Sequence, residues 1–257
     1  MSARAARLEA ALFDMDGVVT DTAQAHAGAW QRLFDEYLKE RAQRLGEAFR
    51  PFDPDADYRR YVDGKPRMDG VGSFLDSRGI ELPYGKRDDA PQRETVCGLG
   101  NRKDRYFNEW LEANRVRAYP GTLALAEALR RSGVKVAVFS ASRNAEAVLR
   151  NAGVLELFDA RVDGVEAARL GLPGKPDPAM LLEAARRLGA EPAHSAVFED
   201  AIAGVEAGAR GGFGLVVGIA RGNYGEELRA AGAHLVVRDL GELRFEPETG
   251  RLTLRPR

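Results

Sequence analysis

Four short stretches of this chain carry residue types able to handle phosphate. The first, ALFDMDGVVTDT (Ala11–Thr22), sets Asp14 and Asp16 around one methionine, with Gly17 behind them and Asp21 further on. FSASRN brings Ser140, Ala141, Ser142, Arg143 and Asn144; GKPDP brings Lys175; FED ends in Glu199 and Asp200. Four carboxylates gathered without cations repel one another and raise each other's pKa. A hard divalent ion such as Mg2+, which takes oxygen ligands, resolves that conflict. Lys175 supplies a point charge for a phosphate or for a nucleophilic carboxylate. The Ser140 hydroxyl and backbone amides at a helix start suit phosphate oxygens. An aspartate in such surroundings can accept a phosphoryl group as an aspartyl-phosphate, and Asp16 can then serve as general acid and base. A bend at Gly17 is expected, so that both carboxylates reach one site. Singly, each stretch is commonplace on solvated loops; their weight lies in where they fall together.

Such positions need a scaffold that collects strand ends. AALFDM is an apolar run closing on acids, and reads as a buried strand. VKVAVFS, a short strand near 159–163, SAVFED, GLVVGI and AHLVV read as further strands. They alternate with helices over 122–132, 144–152, 177–189, 201–210 and 225–232, the pattern of a Rossmann-like, doubly wound parallel α/β sheet. Ligands of such sheets gather outside the carboxyl ends of the strands, where the acids and Ser140 stand. Between the first strand and the rest lies mostly helical sequence. Ala25, Ala29, Trp30, Leu33, Phe34, Tyr37 and Leu38 recur at helical spacing from Thr22 to about Leu45, with Asp21 or Thr22 as N-cap. A broken stretch follows, then a helix in MDGVGSFLDSRG, a loop over 79–100 and a helix in NRKDRYFNEWLEAN. We therefore expect a core of residues 1–23 and 118–257 with a helical domain, 24–117, inserted. The tail RFEPETGRLTLRPR reads as a small edge strand, and the Arg-rich start as a short solvated extension.

FDMDGVVTDT, FSASRN, GKPDP and FEDAIAGVEAG resemble, in order, the four signature motifs of the haloacid dehalogenase superfamily of phosphotransferases. The insert is similar to the helical cap of its β-phosphoglucomutase and phosphoglycolate-phosphatase-like branch. The resemblance implies that Asp14 is the nucleophile, Asp16 the acid and base, Ser140 a ligand of the transferring phosphoryl group, and Lys175 its bridge to Asp14. It implies Mg2+ on Asp14, the backbone carbonyl of Asp16 and Asp200, with Glu199 close by or ligating. In the cap, His26 and Trp30 match that branch's spacing after the first motif, and lie on one helix face. DGKPR resembles a Gly-x-x-Arg loop, with Gly64 and Arg67 in place and Lys65 displaced from the usual side of the glycine, where Asp63 stands. Arg67 would clamp the phosphate that is not transferred. Lys103 would reach the site, Arg102 and Arg105 would be exposed, and Ala141, Ser142, Arg143 and Asn144 would line the phosphate end.

A mutase that interconverts β-glucose 1-phosphate and glucose 6-phosphate through phospho-Asp14 is one implied activity. A phosphatase for a sugar phosphate or a phosphoglycolate-like monoester is the alternative, with water attacking the same intermediate. A non-catalytic sugar-phosphate-binding module is a third reading; the absence of a G-x-G-x-x-G or Gly-Lys-Ser/Thr motif disfavours nucleotide. With 257 residues, 44% apolar, 30% charged and a formal net charge of −1, composition is that of an ordinary globular protein without a pull toward nucleic acid or acidic lipid. The one cysteine, Cys97, forms no internal disulfide and reads as an inert thiol, and no apolar run reaches the ~18–20 residues of a membrane span. We expect a cytoplasmic monomer acting on a small sugar phosphate, with neither nucleic acid nor membrane as partner.

Overall fold

The protein is described by a computed structural model over residues 7–255. Most of the expected N-terminal extension and the last two residues of the tail lie outside that range. Strand β1 (Ala10–Asp14) is followed by three helices, α1 (Ala23–Leu45), α2 (Arg67–Ser77) and α3 (Val96–Ala113). From α4 (Pro120–Arg131) the chain alternates through β2 (Lys135–Phe139), α5 (Ala145–Asn151), β3 (Ala160–Val162), α6 (Gly164–Leu170) and α7 (Ala179–Leu188). It continues with β4 (Ser195–Glu199), α8 (Ile202–Arg210), β5 (Leu215–Ile219), α9 (Gly225–Ala230) and β6 (Leu235–Val237). By its contacts the chain forms two units: one runs to Asp21 and resumes at Val116, and the other is Thr22–Arg115.

In the first unit six parallel strands stand in the order β3-β2-β1-β4-β5-β6. All five residues of β1 are buried, as a central strand covered on both faces must be. Alternate residues divide between the two faces. Leu12, Ala137, Phe139 and Val197 join Met180, Leu181, Ala184 and Leu188 of α7 in one cluster. Phe13 instead stacks on Phe198 at 4.6 Å and meets Phe158 at 6.1 Å. Each fully buried phenylalanine contributes roughly 1.5–3 kcal/mol relative to exposure. Register then aligns the chemistry: Asp14 pairs with Phe139 and Phe13 with Phe198, so Asp14, Ser140 and Glu199 end their strands side by side.

The second unit builds its core on aromatic rings. Phe34 of α1 lies 4.0 Å from Phe74 of α2 and 5.3 Å from Phe52, and Trp30 stacks on Phe34 at 5.4 Å. Three sequence expectations need correction here. Helix α3 starts at Val96 rather than Asn101, with Thr95 accepting the Gly98 N–H as N-cap. Residues 58–62, read as broken, form one helical turn with bonds five residues apart. Thr22 takes the N-cap position of α1 without a side-chain cap, and the carboxylate of Asp21 accepts the Arg117 N–H instead. In the first unit α6, capped by Asp163, went unforeseen. The tail is not an edge strand of the main sheet but an antiparallel hairpin of its own, β7 (Leu243–Glu246) and β8 (Arg251–Leu254). No helix among the described residues is long and apolar enough to cross a membrane.

Candidate active site

Asp14 closes the central strand and is 5% exposed. Lys175, on the loop ahead of α7, sends Nζ to Asp14 Oδ1 at 2.5 Å and to Glu199 Oε1 at 2.7 Å, and is itself 3% exposed. Burial, Glu199 and Asp16 push the Asp14 carboxyl well above the usual range, and the pull of Lys175 does not cancel them. Burial alone would lower the Lys175 pKa. The two carboxylates overturn that and hold its pKa above the ordinary value, so it stays an ammonium.

Glu199 spends both oxygens on protein donors: Oε1 on Lys175, and Oε2 on the Asp200 N–H at 2.9 Å. A side chain fits there because α8 offers Gly204, where a Cβ would stand 1.5 Å from Glu199 Oε1. Asp200 is seated in the same manner. Gly17, at φ +80°, leaves room that a Cβ would close to 1.8 Å from Asp200 Oδ2. Asp14, Glu199 and Asp200 each present a carboxylate oxygen within 4.8 Å of the others. Two acids, Asp14 and Glu199, thus hold the Lys175 ammonium, while Asp200 adds a carboxylate beside them and Asp16 a further negative charge felt at Asp14. That charge excess and all-oxygen donor set fit a hard divalent cation.

The segment expected to take phosphate stands at the carboxyl end of β2. Ser140 Oγ donates to Asp16 Oδ2 at 3.3 Å and accepts the Ser142 N–H at 3.0 Å, and Ser142 Oγ accepts the Asn144 N–H at 3.1 Å. Ala141, Ser142 and Asn144 are half-buried and Arg143 is exposed. The loop rests on α6: Gly164 donates to the Ser142 carbonyl at 3.0 Å, and a Cβ there would lie 2.5 Å from the Ala141 carbonyl oxygen. Asp14, Asp16, Ser140, Lys175, Glu199 and Asp200 are therefore brought together as the sequence predicts.

In the other unit, Lys103 Nζ lies 2.6 Å from His26 Nδ1. The two nitrogens are within hydrogen-bond reach of each other, which ties the Lys103 side chain to the His26 ring. His26 stacks on Phe107 at 3.9 Å, and Lys103 is buried with Nζ 5.1 Å from both the Trp30 and Phe107 rings, a cation–π setting. Trp30 is 4% exposed and packs into that unit's core. Gly64 turns the chain at φ +69°, and Lys65 donates to Ser73 Oγ at 2.9 Å. Arg67 donates to Asn101 Oδ1 at 3.2 Å and pairs with Asp104, while its buried Nε has no partner among the described residues.

Residues 8–212 match the haloacid dehalogenase-like hydrolase family. The chain belongs to that family. This haloacid dehalogenase-like hydrolase is 49% identical, over 92% of each chain, to a β-phosphoglucomutase of Mycobacterium bovis. It is 28% identical to a phosphorylated-carbohydrates phosphatase of Thermotoga maritima, over 90% of this chain and 94% of that one. Its fold matches the crystal structure of a β-phosphoglucomutase from Clostridium difficile with a TM-score of 0.72 at 28% identity, covering 95% of this chain and 97% of that one.

Some of the working parts of this haloacid dehalogenase-like hydrolase escape a reading by motif. Asn101 and Asp104 fix the Arg67 side chain, and the signal available was their spacing of three on the helix that also carries Lys103. Arg102, expected to be exposed, is half-buried and donates to the Pro91 carbonyl at 2.8 Å. Cys97 lies buried in α3, where burial and Asp89 push its thiol pKa up, as an inert thiol requires. Gly204 and the α6 N-terminus shape Glu199 and the Ser140 loop through close approach, which leaves no chemical mark on the sequence.

Proposed function

We propose that the protein is a Mg2+-dependent β-phosphoglucomutase that works through a phosphorylated Asp14. The observation that carries this reading is the buried Lys175 ammonium bonded at once to Asp14 and Glu199, beside the Ser140–Asp16 contact. The 49% identical relative supports the choice of sugar phosphate. Asp14, Asp200 and the Asp16 backbone carbonyl would hold Mg2+, with Glu199 adjoining. When bound, the ion neutralises the acid cluster and polarises the phosphoryl group.

The chain's own residues account for the rest. Asp14 Oδ attacks phosphorus as the bond to the sugar oxygen breaks, and Asp16 gives that oxygen its proton. Lys175 keeps Asp14 oriented and offsets the charge of the entering phosphate. Ser140 and the loop 141–144, whose Ser142 and Asn144 amides brace the two serine hydroxyls, would hold the phosphoryl oxygens. Asp16, now a base, takes the proton of the other sugar hydroxyl as that oxygen attacks phospho-Asp14, which regenerates the carboxylate. Arg67 would hold the second phosphate through its guanidinium fork. His26 and Lys103 act as one hydrogen-bonded pair in the insert.

The Thermotoga relative favours a second reading, hydrolysis of phospho-Asp14 by water under the same base. One experiment separates the two. The protein is incubated with Mg2+, β-glucose 1-phosphate and catalytic glucose 1,6-bisphosphate. Glucose 6-phosphate without inorganic phosphate is expected; stoichiometric inorganic phosphate would replace the mutase with a phosphatase, and neither product would overturn both.

A further inference from the structure

Arg221 stands just past β5, outside every motif discussed above. Its Nη1 donates a short hydrogen bond to the Gly17 carbonyl, and its Cζ lies 3.7 Å from the centroid of the Tyr119 ring. The turn it holds is the one that follows the Asp pair. Within that turn Gly17 N–H donates to Thr20, and the Val19 N–H, Thr20 N–H and Thr20 hydroxyl all converge on the Met15 carbonyl. The Gly17 carbonyl takes its bond from a different part of the chain. On its other side, the Gly17 α-carbon faces the Asp200 carboxylate. Tyr119 is tied to the same turn through its N–H, which donates to the Val19 carbonyl at 2.9 Å. Three segments therefore meet at one guanidinium: the turn after β1, the segment re-entering the unit, and the loop after β5.

We propose that Arg221 is a positioning residue for Asp16. By fixing the next residue's carbonyl and bracing on Tyr119, it holds the turn in the geometry that aims the Asp16 carboxyl at the leaving oxygen. Much of the Arg221 side chain is exposed, so its part is not to fill the core. A planar guanidinium can donate to the carbonyl while lying over a ring, which an ammonium does less well. The proposal rests on Asp16 being the general acid, as put forward above.

In the step concerned, the Asp14 Oδ–P bond forms, the P–O bond to the leaving oxygen breaks, and the Asp16 proton passes to that oxygen. A sugar alkoxide needs this proton; 4-nitrophenolate, a stable anion, does not. Single-turnover phosphorylation should be measured with glucose 1,6-bisphosphate and with 4-nitrophenyl phosphate, for the parent, Arg221→Met, Arg221→Lys and Asp16→Asn. Methionine keeps an apolar contact for Tyr119 and removes the donor. Arg221→Met should slow phosphorylation from the bisphosphate by about tenfold or more, a part of the roughly 10²–10⁴-fold a general acid supplies, with little change in the substrate concentration at half-saturation. Its loss with 4-nitrophenyl phosphate should stay below about threefold, and Arg221→Lys should recover part of the difference. Equal losses with both donors, or none with either, would overturn the proposal.

Asp16→Asn keeps the two claims apart. If it too slows both donors equally, the acid assignment falls. If it is selective and Arg221→Met is not, only the role of Arg221 falls. Should Arg221→Met fail to fold, as judged by circular dichroism, Arg221→Lys and Tyr119→Leu take its place in the two-donor comparison. A selective loss in either would support the role of Arg221, and equal losses in both would overturn it.

Discussion

Replacing Gly17 with alanine adds one carbon, at a place the structure defines closely. The backbone there has φ +80°, where a residue with a Cβ is destabilised by roughly 1–2 kcal/mol. The new Cβ would lie 1.8 Å from Asp200 Oδ2 and 2.6 Å from its Cγ. Comfortable contact is at about 3.5 Å, so the Asp200 carboxylate must retreat by about 1.7 Å. Mg2+ demands oxygen at about 2.0–2.1 Å in near-ideal geometry, and a carboxylate displaced that far no longer meets it. We expect the Mg2+ dissociation constant of Gly17→Ala to rise at least 10–100-fold, the scale seen when the supports of metal ligands are removed. The melting temperature should fall by about 2–8 °C from backbone strain alone. Isothermal titration with Mg2+ and thermal unfolding with and without the ion measure both effects. Gly28→Ala is the control, since a Cβ there meets nothing within 4 Å and the helix should gain up to about 1 kcal/mol. A Gly17→Ala protein that binds Mg2+ within about twofold of the parent would refute the placement of Asp200 in the metal site.

Asp14→Asn should abolish phosphoryl transfer with its fold intact, checked by a phosphoenzyme trap and circular dichroism; residual turnover above about one part in a thousand would remove Asp14 as nucleophile. Lys175→Met leaves Asp14 and Glu199 facing each other in a buried site and should cost about 3–5 kcal/mol in urea unfolding at neutral pH. Burial and Glu199 already raise the folded-state pKa of Asp14, and losing Lys175 raises it further. The folded form therefore holds that proton more tightly than the unfolded one, so the cost of Lys175→Met should shrink as pH falls and grow as pH rises. Arg67→Ala should impair turnover of glucose phosphates at least tenfold more than that of an aryl phosphate; equal losses would remove its role on the second phosphate.

Much of the site was legible because strand periodicity and motif order agree. Apolar runs ending in acid or hydroxyl locate Asp14, Ser140 and Glu199 without any knowledge of packing, and parallel register does the rest. What stayed hidden is tertiary. Val96–Gly100 reads as loop because glycine disfavours helix. Yet a Cβ at Gly98 would lie 2.3 Å from the Arg93 carbonyl oxygen, and one at Gly100 would lie 2.4 Å from Met68 Sδ, so packing rather than propensity set those residues. Helix α6 spans only two turns, too short for a periodic signal, and is defined by its Asp163 cap and the glycine after it. Arg221 offers no spacing at all: its partners, Gly17 and Tyr119, lie more than a hundred positions back along the chain.

The two ends of the first unit that flank Thr22–Arg115 are already sewn to each other. Asp21 N–H donates to the Arg117 carbonyl at 3.0 Å, and the Arg117 N–H returns to Asp21 Oδ1 at 3.1 Å. Two residues further in, Tyr119 N–H meets Val19 at 2.9 Å. The excursion thus departs and returns through a neck that the sheet unit closes with its own bonds. Loop-closure entropy grows only slowly with loop length, so a neck of this kind accepts a short turn or a long helical domain at similar cost. Grafting a different insert there would leave Asp14, Ser140, Lys175 and Glu199 on their own strands and loops. The residues that close the sheet unit and those of the excursion are therefore joined at only two backbone strands.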